Sequence, residues 1–190
     1  MATQDSRIKL KRSTIAATVP TVPSSSDHTD GTWIATDIYK GELFYNQADG
    51  VLWTRGDSGI ECIQGTAKLT IATADVLTLN TTPLTIVAAP GAGYAIEVIS
   101  ATFKATFNSV AYATNIDIDI RTIGSSVNLT TNVAKLGFTA NTINVFALKA
   151  DPAADQIIEN TGIEVFVETG NPTAGDSDIT IYVTYRIITL

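Results

Sequence analysis

Two aspartates one residue apart, Asp117 and Asp119, are the residues whose type and spacing most directly suggest chemistry. They sit in the run Ile116-Asp117-Ile118-Asp119-Ile120, which alternates with the period of a β-strand. On such a strand both carboxylates share one face, roughly 7 Å apart. That spacing suits the carboxylate pair of glycoside hydrolysis. Arg121 continues the same row, however, and a row of mixed charge reads as an ordinary solvated sheet face. A depolymerase built on Asp117 and Asp119 is therefore one function class to test, and a polar strand face is the reading adopted.

The other candidates reduce in the same way. Asp176-Ser177-Asp178, with Asn171 nearby, offers the oxygen ligands that Ca²⁺ takes, but the closing Glu of an EF-hand loop is absent. A polar turn is expected there. Arg55-Gly56-Asp57 is a tripeptide that some cell-surface receptors bind, yet it falls where a turn is needed between strands. Asn80-Thr81-Thr82 and Asn128-Leu129-Thr130 match the N-glycosylation acceptor pattern, which matters only for a secreted chain. Ala89-Pro90-Gly91-Ala92-Gly93 leads into a strand, whereas a dinucleotide fingerprint needs a helix start for the pyrophosphate. Cys62 is the single cysteine, so no intrachain disulfide forms, and His28, the single histidine, lies in a Ser-rich stretch. Cys62 is read as a small structural thiol. No Ser/His/Asp constellation, HExxH or phosphate loop occurs. The expectation is a protein that is not an enzyme and uses no metal or cofactor.

Composition narrows the partners. The chain has 190 residues, 45% hydrophobic and 16% charged, with a net charge of −7. An acidic balance argues against nucleic acid. No run approaches the roughly 20 apolar residues of a membrane span, and Met1 to Ser6 lack the order of a signal peptide. Synthesis in a cytoplasm without membrane insertion is expected. Charge is unevenly placed: Arg7, Lys9, Lys11 and Arg12 put four of the 12 basic residues in the first 12 positions. This reads as a basic arm on an acidic body.

The elements that must position these residues are strands. Arg7 to Lys11 alternates, with Ile8 and Leu10 on one side and cations on the other. Ser13 to Asp30 is rich in Thr, Ser and Pro and reads as loop, and Trp33 to Tyr39 reads as a short extended piece. Gly41 to Trp53 spells a β-hairpin, with Leu43 to Tyr45 and Val51 to Trp53 as its strands and Asp49-Gly50 in its turn. A lone hairpin is marginal in water, so something must cover Phe44, Leu52 and Trp53. A short strand from Ile60 to Ile63 closes this region. Beyond Gly65, Thr, Ile, Val, Ala and Asn dominate, and period-two alternation recurs at Leu77 to Asn80, Ala101 to Phe107, Ile116 to Arg121 and Ile179 to Ile187. About eight to ten strands are expected, the number of a two-sheet sandwich or jelly roll. Helix is expected for at most a turn between Pro152 and Glu159. The final strand reaches Leu190, so the terminus is held by a sheet or by a neighbouring subunit.

Residues 9–64 resemble a module at the amino terminus of tailed-bacteriophage fibre and virion-appendage proteins. The residues that carry the resemblance are Lys11-Arg12-Ser13-Thr14, Val19-Pro20-Thr21, Gly41-Glu42, Asn46, Asp49-Gly50, Leu52-Trp53 and Gly59-Ile60. The stretch from Thr21 to Gly41, with Trp33, is longer here than in that family. Leu77 to Pro83 followed by Ala89 to Tyr94 is also similar, more loosely, to β-rich domains of phage virion proteins. The resemblance implies an all-β homotrimer with two parts. Residues 1–64 would be a virion-anchoring extended arm and hairpin, and residues 65–190 an antiparallel, jelly-roll-like β-sandwich. Arg7, Lys9, Lys11 and Arg12 would anchor the chain to capsid or tail proteins, and Phe44, Leu52 and Trp53 would pack against partner subunits. A head fibre or capsid decoration protein of the virion is the first reading. A tail-associated fibre or adaptor that grips a host surface glycan is the second, with Tyr94, Tyr112, Tyr182 and Tyr185 as its few candidate aromatic residues.

Overall fold

A computed structural model of the chain describes residues 10–24, 32–57, 59–125, 128–131, 134–149 and 157–190. Two compact units divide the chain, Met1–Gly65 and Thr66–Leu190. The described residues form ten strands and one four-residue helix.

The first unit contains β1 (Lys11–Ser13), β2 (Leu43–Asn46), β3 (Val51–Arg55) and the start of β4 (Ile60–Ile71). β2 and β3 form the expected hairpin, with Asn46 opposite Val51. Its turn closes through Gly50 at φ 67°, a conformation that costs glycine little. β1 lies parallel to β2 and β4 antiparallel to β3. Alternation then decides the faces. Phe44, Val51 and Trp53 are buried with Ile38, while Tyr45 and Leu52 point the other way. The stretch from Trp33 to Tyr39 is a turn and not an extended piece. The Asp37 carboxylate accepts the Ile34 N–H at 2.9 Å and the Thr21 hydroxyl at 2.6 Å, and its own N–H bonds back to the Ile34 carbonyl. The Thr21 hydroxyl, then the Ile34 N–H, hold this carboxyl below its ordinary value.

The second unit contains the rest of β4, α1 (Thr73–Val76), β5 (Leu84–Val87), β6 (Tyr94–Ala105), β7 (Ile118–Thr122), β8 (Thr142–Val145), β9 (Ile163–Val167) and β10 (Ile179–Thr189). Its sheet orders are β4-β10-β6-β8 and β5-β9-β7. Two sheets and almost no helix are consistent with a β-sandwich. Ile179, Ile181 and Val183 of β10 and Ala101, Phe103 and Ala105 of β6 are all at most 2% exposed. The terminus is held inside a sheet, because β10 lies between β4 and β6 and the Leu190 N–H bonds to the Gly93 carbonyl.

Two further expectations are corrected. Leu77 to Asn80 is not a strand. The chain turns helically there, with Val76 and Leu77 N–H bonded to Ala72 and Thr73 carbonyls. Val76 and Leu79, three apart, reach the interior together at 0% exposure. The row carrying Asp119 is not a solvated face either. Asp119 is 0% exposed, and Glu164 on the neighbouring strand is 8% exposed. The helical turn expected from Pro152 lies largely outside the described residues.

Gly175 sits at φ 90°, and a Cβ there would fall 2.2 Å from the Tyr112 ring. Tyr112 is 3% exposed and donates its hydroxyl to the Ser177 carbonyl. Gly175→Ala should therefore cost about 2–4 kcal/mol from strain and displaced packing. Urea unfolding followed by circular dichroism measures this loss.

Candidate functional site

Several of the residues that carry the virion-module resemblance, Ser13, Glu42, Asn46 and Asp49 among them, knit the first unit together. Asn46 ends β2 with its side chain 1% exposed. Its amide donates to the Ile15 and Thr18 carbonyls, each at 3.1 Å, and to Asp49 Oδ2 at 2.7 Å. Its Oδ1 accepts the Ala48 and Asp49 N–H groups of the hairpin turn. Asp49 Oδ2 in turn accepts the Ala17 N–H at 2.6 Å. One side chain thus closes the hairpin and ties the Ser13 to Thr18 turn beside it. Ser13 accepts the Ile15 N–H and donates to Thr18. Pro20 is buried, and Thr21 pairs with Asp37. Glu42 accepts the Tyr39 N–H at 2.7 Å.

The basic residues separate into two roles. Lys11 turns inward, where its ammonium donates to the Asp37 carbonyl, lies 3.8 Å from Glu42 and sits 5.5 Å from the Trp33 ring centroid. Trp33 and Tyr39 stack with ring centroids 4.3 Å apart. Arg12, one residue on, is exposed beside Tyr45. Arg7 and Lys9 lie outside the described residues. The apolar candidates separate as well. Phe44 and Trp53 are 1% and 2% exposed within the single chain, so no partner is needed to cover them. Leu52 lies on the opposite face, paired with Tyr45, which is 36% exposed. Arg12, Tyr45 and Leu52 share that open face, and Ile63, also exposed at 48%, lies on the adjoining strand.

The second unit presents a polar cleft of about 430 Å³ whose walls include Lys104, Asn108, Asp176, Asp178 and Thr180. Asp176 is committed to the loop opposite. It accepts the Ser109 and Val110 N–H groups at 3.1 and 2.9 Å, and the Ser109 hydroxyl and Asn108 amide. These bonds, that of the Ser109 hydroxyl foremost, hold its carboxyl at about 2. Asn171 serves a different loop, accepting the Asn80 and Thr81 N–H groups. Among the described residues no three His, Cys, Asp or Glu side chains are placed to hold a metal. None of the four tyrosines lines the cleft. Tyr112 and Tyr185 are each 3% exposed, and Lys68 lies over the Tyr182 ring. The remaining motifs are absorbed into structure. Asn80 donates to the Val167 carbonyl, Gly91 and Gly93 N–H groups bond to Asn160 and Glu159, and Arg55 donates to the Ile38 carbonyl. His28 lies outside the described residues, and Cys62 is half-buried.

No family model and no curated protein matches the chain. A solved structure titled "Cyanophage Pam1 capsid asymmetric unit" is similar at 17% identity, over 65% of this chain and 84% of that chain, with a TM-score of 0.39. A likeness that slight carries no argument about function.

Asn46→Ala should destabilise the first unit by about 2–3 kcal/mol, because a buried side chain loses its bonds and the Thr18 carbonyl and the Ala48 and Asp49 N–H groups lose the partner it supplies. The two tryptophans of the chain, Trp33 and Trp53, both lie in the first unit. Their fluorescence in urea therefore reads this loss without interference from the second unit.

Proposed function

We propose that this chain is a structural component of a bacteriophage particle, a short homotrimeric head fibre or capsid decoration protein with no enzymatic activity. Residues 1–64 hold it to the virion, and residues 65–190 form its sandwich body. One observation carries the reading: the residues of the fibre-module resemblance coincide with the hydrogen-bonded knot around Asn46 and Asp49. A module recognised by Lys11, Ser13, Thr21, Glu42, Asn46 and Asp49 is recognised by the side chains that make it fold.

The docking residues follow from exposure. Lys11 spends its charge inside the unit, so Arg12 is the described cation on the basic segment that remains available. It stands at the edge of the open face with Tyr45 and Leu52. A cation beside apolar contacts suits a protein surface of opposite charge, with the apolar residues supplying affinity and the charge supplying orientation. Phe44 and Trp53 serve the unit's own core, and Leu52 with Tyr45 takes the packing role. The carboxylate pair Asp117 and Asp119 does not support a depolymerase, because Asp119 has no exposed surface for a substrate to reach.

Arg12→Glu should leave the chain folded and its mass by light scattering at three times 20.1 kDa. The same variant should enter particles poorly, and rising salt should weaken attachment of the unmodified chain. Normal incorporation of Arg12→Glu sinks the docking role, and a monomer at micromolar concentration sinks the trimer.

The polar cleft favours a second reading, a tail-associated fibre or adaptor that binds a host surface glycan. Lys104, Asn108 and Asp178 supply donors and acceptors for sugar hydroxyls. Binding on a glycan array that Lys104→Ala abolishes would support this reading. An array negative throughout leaves the structural role alone.

A further inference from the structure

Asp119 lies on β7 with 0% of its surface exposed. Its described hydrogen-bond donors are neutral: Thr130 Oγ1 at 2.9 Å and Asn128 Nδ2 at 3.3 Å. Both belong to the segment 128–131, which runs beside β7. The Leu129 N–H bonds to the Ile120 carbonyl at 2.8 Å, and the Ile120 N–H bonds to Thr130 Oγ1 at 3.0 Å. Behind that segment, the Thr131 and Lys149 N–H groups bond to the Ala147 and Leu129 carbonyls. Besides these direct bonds to β7, two side chains of residues 128–131 are fastened to the sheet by one buried carboxyl group.

The charged groups around it do not neutralise it. Asp117, just before its strand, and Glu168 beyond β9 repel a charge there, and Lys149, whose N–H bonds to the Leu129 carbonyl, attracts it. Lys135 feels the Asp119 charge, but its ammonium bonds to the Val145 carbonyl and lies over the Phe146 ring. The next pair along the sheet, Arg121 and Glu164, is closed on itself at 2.6 Å, with Arg121 over the Phe166 ring. As a carboxylate, Asp119 accepts both donors while carrying an uncompensated buried charge. As a carboxylic acid it still accepts from Thr130, and an Asn128 amide turned over accepts its proton. The neutral form keeps both bonds without the charge.

We propose that Asp119, Thr130 and Asn128 form a proton-operated latch, which holds residues 128–131 against β7 more firmly when Asp119 carries a proton. Burial foremost, then the carboxylates of Glu168 and Asp117, push this carboxyl up to about 6 against the pull of Thr130. The folded chain thus holds the proton more tightly than the unfolded chain, whose carboxyl has its ordinary value of 3.8. The stability this confers is complete below about pH 4, falls as pH rises through about 6 and is level above. The window corresponds to roughly 100-fold in the folding equilibrium. The latch stands apart from the virion reading.

Urea unfolding from pH 4 to pH 8 of the unmodified chain and of Asp119→Asn tests it. The folding constant of the variant relative to the unmodified chain should grow roughly 100-fold between pH 4 and pH 7 and then stay level. A ratio independent of pH overturns the latch. Should Asp119→Asn fail to fold, amide exchange of Leu129 and Lys149 in the unmodified chain decides. Protection corrected for intrinsic rates that is higher at pH 5 than at pH 7.5 supports the latch, and equal or lower protection overturns it.

Discussion

Eleven residue pairs join β10 to β6, and the second unit is organised around that ladder. Its pairing sets two faces at once, because side chains alternate across each strand. Ile179, Ile181 and Val183 stand beside Ala105, Phe103 and Ala101, so one face is apolar across these two strands. The other face carries Thr180, Tyr182, Thr184, Thr102 and Lys104. A break in register between Thr184 and Tyr185 changes the phase, and it brings Arg186 to Glu97 as an ion pair. Burial of the apolar face drives the association, and the ladder satisfies the backbone groups that burial takes from water.

Loops are fastened by a different device. With so little helix, few turns can satisfy their own N–H and carbonyl groups, and short Asn and Asp side chains do it instead. Asn46 and Asp49 close the first hairpin and its neighbouring turn. Asn171 receives two N–H groups of the α1 exit, Asp176 receives two from the β6 exit, and Asn160 receives that of Gly91. The same habit commits Asp49 and Asp176 to separate loops. Asp119 follows the pattern with one difference. Its donors are side chains and it has no exposed surface, so a loop fastening becomes a titratable one.

The first unit shows why its sequence pattern and its open surface are separate matters. Asn46, Asp49, Ser13 and Glu42 are spent on internal bonds. Those motif residues therefore mark a fold, while Arg12 and Leu52, also in the motif, stand with Tyr45 on the opposite face of the same strands. Lys11 and Arg12 are adjacent and of one charge, yet strand alternation sends one to Asp37 and Glu42 and the other to solvent.

Period-two alternation and turn chemistry were enough to read the hairpin at Asp49-Gly50, the strands through Phe103, Ile118 and Ile181, and the all-β class with its two sheets. These signals are local, because pleat and turn conformation depend on a few consecutive residues. What lies over each face is not local. Alternation shows that Asp119 and Ile120 point opposite ways, but not that both are buried, with Asp119 bonded to the returning residues 128–131. It shows that Phe44 and Trp53 share a face, but only the rest of the first unit, with Ile38 fully buried among them, makes that face a single-chain core. Leu77 to Asn80 alternates like a strand, and three-residue spacing of Val76 and Leu79 into the core won instead. Sequence determined the period of each element, while long-range burial decided which side of it meets water.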